Sequence, residues 1–336
     1  MTGGMPGVSS MHGHMWMPSA PPTIARLLAV HLQPVPVLPT IGVVLLGLYL
    51  AGIVVLRRRG DSWPLRRTVP WVVGVFTILA VTATGLDGYG MELFSVHMVQ
   101  HMVIGMLTPI LLALGAPVTL LLRVLPAGAG RRGRIRRFLL SILHSRVAAV
   151  VTHPVVTLAL FLGSLYGLYF TPVFDLLMRT MWGHNIMLVH FLAVGMLYFW
   201  GVVGVDPTPR RSGRGLGQLS RPVLRIFELG VTVPFHAFFG IVVMMATDLI
   251  VNFYRVPVSG WGISPLADQA VGGGIAWGFT ELPTLIVLGV LFRQWQADER
   301  RLTRRLDRRA DRDGDAELRA YNERLAAMSH GGTSRP

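Results

Sequence analysis

Seven long apolar runs alternate with short polar segments along the chain. Each run is long enough to cross a hydrocarbon core about 30 Å thick, since a helix rises about 1.5 Å per residue. The pattern therefore predicts an all-α membrane protein built as a bundle of seven transmembrane helices. The runs cover residues 38–56, 69–86, 94–114, 147–170, 183–205, 223–251 and 270–292.

The third run is the least regular, because it continues past two prolines to about residue 122. Proline lacks a backbone N–H and disturbs the turn before it. A kink or a short re-entrant piece is therefore predicted near Pro109 and Pro117.

Arginine content predicts the orientation of the bundle. All 31 basic residues are arginine, and 28 of them lie in the segments 57–68, 123–146, 206–225 and 293–336. Positively charged segments stay on the cytoplasmic side of a membrane. The N-terminus is therefore predicted outside the cell and the C-terminus inside. The chain is therefore predicted to have three parts. They are a flexible Met- and His-containing extracytoplasmic arm at 1–37, the transmembrane domain at 38–292 and an Arg-rich cytoplasmic tail at 293–336.

Composition narrows the function classes. Hydrophobic residues make up 52% of the chain and charged residues make up 14%. The mean hydropathy is +0.53. These values are typical of a polytopic membrane protein rather than a soluble one. The net charge of +14 resides in loops between apolar runs, so membrane lipid and not nucleic acid is the predicted environment. Cysteine is absent, so a bound metal would need His, Met, carboxylate or backbone ligands.

The third run carries the densest group of polar and sulfur-containing side chains. His97 and His101 are four residues apart, as are Met98 and Met102, so each pair shares one face of a helix. Imidazole and thioether ligands side by side suit copper, particularly Cu(I). The alternative is that the methionines fill the core and the histidines are hydrogen-bonded packing residues.

The predicted orientation brings further donors to the outer half of the bundle. His184 and His190 lie in the fifth run and His236 in the sixth, where polar groups are costly and often functional. Asp268 lies just before the seventh run, at its outer end. Each has an ordinary interpretation as well. His184 could lie at the membrane interface, His236 could be a packing residue, and Asp268 could cap a helix.

The order of these motifs resembles the CtaG-type family of cytochrome c oxidase assembly factors. The similarity rests on the motif from His97 to Met102, on the segment from His190 to Pro207, and on the later motifs around His236 and Asp268. It extends over the whole predicted membrane domain. The resemblance implies a seven-span protein of the bacterial plasma membrane that helps copper to reach the copper-B centre of a haem-copper oxidase. It implies an assembly role, not an enzymatic one.

The resulting hypothesis is a copper relay. Cu(I) is caught by the N-terminal arm, whose residues 11–17 include two histidines and three methionines, or by Asp268. It then binds His97 and His101 with one or more of Met98, Met102 and His190, and passes to a docked oxidase subunit. The alternatives are a haem b protein with axial histidines, a copper or cation permease, and a purely structural scaffold for the oxidase.

Overall fold

A computed structural model describes residues 15–126, 128, 130–209, 221–313 and 316–331, and the regular elements within them are helical. The first helices are α1 (Ile24–Leu28), α2 (Val37–Arg58), α3 (Leu65–Thr82), α4 (Gly85–Tyr89), α5 (Phe94–Met102), α6 (Thr108–Leu114), α7 (Pro117–Val124), α8 (Arg131–Leu143) and α9 (Arg146–Val151). They are followed by α10 (Pro154–Tyr169), α11 (Val173–Met178), α12 (Met181–Val203), α13 (Arg221–Met245), α14 (Pro265–Phe279), α15 (Glu281–Asp313) and α16 (Ala316–Gly331).

Six stretches in the described part of the chain are helical, long and apolar enough to cross a membrane: Val37–Arg58, Leu65–Thr82, Phe94–Val124, Met181–Val203, Val223–Met245 and Pro265–Arg305. The fourth predicted run gives a shorter apolar helix instead. It divides into α9 and α10 because Pro154 cannot continue a preceding helix and occupies the first position of the next one. The six spans confirm a multi-pass helical membrane protein.

The third span is interrupted where the two prolines predicted a disturbance. A single π-helical segment, Val103–Leu107, joins α5 to α6 immediately before Pro109. A second interruption follows at Ala116, whose φ of 52° is left-handed and ends α6 just before Pro117 starts α7. π-helical turns often accompany functional sites, and this one follows directly after the two histidines of α5.

Glycines allow the central helices to approach closely. A Cβ at Gly195 of α12 would lie 2.3 Å from the Gly105 carbonyl oxygen, so α12 packs directly on the π-helical backbone. A Cβ at Gly273 of α14 would lie 2.4 Å from the Met244 backbone nitrogen. The glycine run of α14 therefore serves close helix packing.

The described part of the N-terminal arm packs against the helices. The Trp16 backbone N–H donates to the Gln33 side chain at 2.9 Å, and the Tyr89 hydroxyl donates to the Ala20 carbonyl at 2.8 Å. A Cβ at Gly88 would meet the Trp16 ring at 2.4 Å. From Met15 onward the arm therefore contacts the helices, and the predicted donors at positions 11–14 lie outside the described residues.

The chain divides into two compact units between residues 288 and 289. The second unit contains the remainder of α15 together with α16, and its described side chains are largely exposed and rich in arginine. The cytoplasmic location of this Arg-rich segment stays a prediction.

Candidate functional site

Four buried imidazoles from three helices come together inside the bundle. His97 and His101 lie one turn apart on α5, His184 is in the first turn of α12, and His236 is near the middle of α13. None of the four side chains is more than 6% exposed. The ring centroids of His97 and His184 are 6.4 Å apart, and those of His101 and His236 are also 6.4 Å apart.

Five ring nitrogens of this cluster have no hydrogen-bond partner within the described residues. They are Nδ1 of His97, Nδ1 of His101, Nε2 of His184 and both nitrogens of His236. Most buried polar groups in proteins are hydrogen-bonded, and an unsatisfied one costs about 1–3 kcal/mol. Five unsatisfied nitrogens in one place are therefore an unusual feature of this bundle.

Tyr169, at the end of α10, packs against both histidines of α5. Its hydroxyl lies 3.0 Å from Nε2 of His97, and its ring centroid is 5.5 Å from that of His101. A ligating histidine usually gives its second ring nitrogen to such a partner, which fixes the ring and its tautomer. In the tautomer whose Nε2–H donates to the Tyr169 hydroxyl, Nδ1 of His97 carries the lone pair that can bind a ligand.

Aromatic side chains enclose the cluster. Phe174 makes an edge contact with His97 at 5.0 Å, Phe191 makes one with His101 at 4.1 Å, and Phe161 lies 6.1 Å from His236. These rings exclude water from the imidazoles and lower the local dielectric constant. A charged ligand would therefore interact strongly with the ring nitrogens, since electrostatic interactions strengthen in such surroundings.

One cavity borders the cluster. It has a volume of about 20 Å³, enough for one water molecule or one ion, and His101 and His236 both line it. Its other walls come from the π-helical segment, α10 and α12, and include Ser164. Among the four buried histidines, those two are the ones that face this cavity.

His190 lies apart from the four buried imidazoles. It is exposed on α12, and its Nε2 is 2.5 Å from the Ser164 hydroxyl oxygen. The structure brings His184 and His236 to the α5 histidines, whereas the hypothesis drawn from the sequence had favoured His190. His184, expected at the membrane interface, is instead 1% exposed.

Met98 and Met102 are fully buried. In the sequence they are adjacent to His97 and His101. Each follows its histidine by one residue, which turns its side chain by about 100° around the helix axis. The methionine pair therefore occupies the neighbouring face of α5. Their role as copper ligands stays a prediction.

Asp268 acts as a helix cap. Its carboxylate accepts hydrogen bonds from the backbone N–H of Ser95, at 3.3 Å, and from the Ser95 hydroxyl. Ser95 is in the first turn of α5, where backbone N–H groups lack partners in the helix. These contacts cap α5 and not α14, the helix that carries Asp268 and that the sequence interpretation had in view. Its role in attracting a cation stays a prediction. Across the described residues, no three His, Asp or Glu side chains are grouped so that they could hold a metal ion together.

A polar network missed by the sequence analysis lies beside the cluster. Gln100 of α5 donates from Nε2 to the Asp87 carboxylate at 2.9 Å and to the Val81 carbonyl at 2.7 Å. Gln33 of the arm also reaches Asp87. The network therefore joins the arm and α4 to the helix that carries His97. Its only sequence signal was the offset of three residues between His97 and Gln100.

The sequence profile of the cytochrome c oxidase caa3 assembly factor family (Caa3_CtaG) matches residues 47–298. This chain belongs to that family. Uncharacterized proteins of Mycobacterium bovis and Mycobacterium tuberculosis are each 46% identical over 312 residues, which is 92% of this chain and 46% of theirs. An uncharacterized protein of Mycobacterium leprae is 44% identical over 284 residues, 84% of this chain and 42% of its own. The chain thus spans less than half the length of these relatives. No solved structure matches.

Asp87 gives this caa3-family member a pH-dependent stability. Burial raises the pKa of its carboxyl from 3.8 to about 7, although hydrogen bonds from Gln100 and Gln33 lower it. At a pH between 3.8 and about 7, the Asp87 carboxyl is deprotonated in the unfolded chain and protonated in the folded chain. The contribution is therefore fully present below about pH 4 and is lost as the pH rises through 7. The difference corresponds to about 4 kcal/mol in the free energy of unfolding.

Replacing Asp87 by Asn should remove this part of the pH dependence, since the amide keeps a hydrogen-bond acceptor for Gln100 and does not titrate. The measurement is the midpoint of thermal unfolding in detergent at pH 5, 6, 7 and 8. We expect the midpoint of the unmodified protein to fall across this range relative to that of Asp87→Asn. Parallel curves for the two proteins would contradict the assignment.

Asp268→Ala should destabilise the protein by about 1–2 kcal/mol, the usual cost of losing an N-terminal cap. Asp268→Asn keeps an acceptor for Ser95 and should recover most of the loss. Unfolding in detergent measures both variants, and Asp248→Ala provides a carboxylate control near the end of α13. Equal loss in the Ala and Asn variants would show that charge, and not capping, is what Asp268 contributes.

Proposed function

We propose that this protein is a non-enzymatic assembly factor of the bacterial plasma membrane that passes copper to the copper-B centre of a haem-copper oxidase. The observation that carries the proposal is the group of four buried imidazoles with five unpartnered ring nitrogens. Membership of the oxidase assembly family supplies the destination. Neutral nitrogen ligands hold Cu(I) while allowing its exchange, which is what delivery to a second protein requires.

The proposal includes the topology predicted from the arginines. The short helix α10, together with α9, completes a seventh crossing, and the N-terminus lies outside with the arginine-rich tail in the cytoplasm. In this orientation His97 and His184 lie within the first turns of helices that enter from the outer side. Copper would therefore enter the cluster from outside and leave it sideways, through the membrane, towards a docked oxidase subunit.

The copper hypothesis accounts for the cluster better than haem binding does. The cavity beside His101 and His236 has room for one small ion, whereas a haem would need a slot between helices many times larger. A visible spectrum of the purified protein provides the check. The proposal predicts that the spectrum of the purified protein contains no Soret band.

The test is to remove the gene from a bacterium that carries it and to analyse the oxidase in its membranes. We expect oxidase subunits that contain haem but have a reduced ratio of copper to haem, and we expect the ratio to recover when the gene is returned. A normal ratio without the gene would contradict the proposal. Loss of the oxidase subunits themselves would instead favour the structural scaffold.

A further inference from the structure

The four buried histidines form two pairs with the same spacing. The ring centroids of His97 and His184 are 6.4 Å apart, and those of His101 and His236 are also 6.4 Å apart. Since His97 and His101 are four residues apart on α5, the pairs are offset by about 6 Å along the helix axis. The second histidine of each pair comes from a different helix, α12 or α13.

The spacing of each pair matches two imidazoles that share one ion between them. A ring nitrogen binds a first-row metal at about 2.0 Å and lies about 1.2 Å from the centre of its ring. Two rings on opposite sides of one ion therefore have centroids about 6.4 Å apart, whereas tetrahedral ligands would be closer.

Each pair also has nitrogens free for coordination. In the first pair these are Nδ1 of His97 and Nε2 of His184, and in the second they are Nδ1 of His101 and either nitrogen of His236. The hydrogen bond between His97 Nε2 and the Tyr169 hydroxyl leaves the coordinating nitrogen of His97 open. Each pair meets the chemical requirement of two lone pairs in the tautomers that leave these nitrogens unprotonated.

The apolar surroundings of the imidazoles favour a monovalent ion over a divalent one. The imidazoles are enclosed by aromatic rings, and the nearby carboxylates of Asp87 and Asp268 are engaged with Gln100 and Ser95. A divalent ion held by two neutral ligands would keep two uncompensated charges in an apolar interior, which is costly. A soft monovalent ion carries only one such charge, and Cu(I) accepts imidazole and thioether ligands.

We propose that His97 with His184 and His101 with His236 form two separate two-coordinate Cu(I) sites, so that one chain binds two ions in series. This inference rests on the proposed function and adds the number of sites and their ligands. The second site borders the cavity that Ser164 also lines. It is therefore the site that exchanges its ion with the outside of the bundle, and the first site exchanges more slowly.

The test uses the full chain, purified in detergent without oxygen and loaded with Cu(I), followed by removal of loose metal with a chelator. Copper is counted per chain, and X-ray absorption gives the number of nitrogen ligands. We expect two ions with two nitrogen ligands each. His184→Phe and His236→Phe should each retain one ion, and His184→Phe should leave the faster-exchanging one. His144→Phe, at the exposed end of α8, is the control and should retain two.

Size-exclusion chromatography and helix content identify any variant that fails to fold, and Tyr169→Phe then provides a milder change. This variant should lower the Cu(I) affinity of the first site only, because His97 loses its hydrogen-bond partner. One ion with three or four nitrogen ligands in the unmodified protein would overturn the two-site arrangement and leave the proposed function standing. No retained copper at all would overturn both.

Discussion

Replacing His97 and His101 together by Phe is expected to abolish copper binding inside the bundle and to leave the oxidase short of copper. Both pairs of imidazoles lose one member, and phenylalanine fills the space without offering a lone pair. Changes around a metal site that leave its ligands intact already cost about 10–100-fold in affinity. Loss of ligands from both pairs should therefore lower the affinity for Cu(I) more than about 100-fold.

Two measurements check this expectation. Chelator competition on the purified protein gives the affinity, and the ratio of copper to haem in the oxidase of the same strain gives the consequence. His144→Phe is the control, because His144 is exposed and lies at the end of α8. The copper role of α5 would be contradicted if the double variant and the control supported the same oxidase copper content.

Gly195→Val is expected to destabilise the protein by about 2–3 kcal/mol, near the upper end of the cost of overpacking a core. Even the first added carbon would lie 2.3 Å from the Gly105 carbonyl oxygen and 2.7 Å from Pro109 Cγ. Neither atom belongs to a long side chain that could turn away. The helix α12 would therefore have to move off the π-helical segment, and His184 would move with it.

The matched control is Gly163→Val in α10, another apolar helix, where an added Cβ meets no atom within 4 Å. Thermal unfolding in detergent compares the two variants, and copper retention by each shows whether the site follows the packing. We expect a lowered unfolding midpoint and less bound copper for Gly195→Val alone. Equal midpoints would mean that the close approach of α12 contributes nothing to stability.

Hydrophobic run length predicted the helical spans well, because a membrane helix must bury about twenty apolar residues in succession. Pro154 shows where that criterion fails. The fourth run is continuous in hydropathy, yet its proline begins a new helix, and only sixteen residues follow in α10. The break was visible in the sequence and needed the backbone chemistry of proline, not hydropathy, to interpret it.

The spacing of four residues between His97 and His101 predicted half of the cluster. The choice between His184 and His190 also follows from helix geometry, since six residues turn a helix by about 240°. The two side chains therefore point to different faces and cannot serve the same ion. His236 could not be placed in this way, because its position depends on how α13 packs against α5 and α12.

The contacts of Asp268 and Tyr169 could not be predicted from the sequence for a similar reason. Asp268 is 173 residues away from the helix that it caps, and no local pattern connects it to Ser95. Tyr169 ends an apolar helix among several aromatic residues, and its contact with His97 spans 72 residues. Long-range contacts of this kind are determined by helix packing, which residue periodicity does not specify.

The central claim is that the buried imidazoles of α5, α12 and α13 bind copper. The most direct test is to measure copper and haem together in the protein purified from copper-supplied cells under anaerobic conditions. The account predicts retained copper whose X-ray absorption shows imidazole nitrogen as the nearest neighbour, with no Soret band in the same sample. A sample without copper, or one with copper bound only through sulfur, would contradict it.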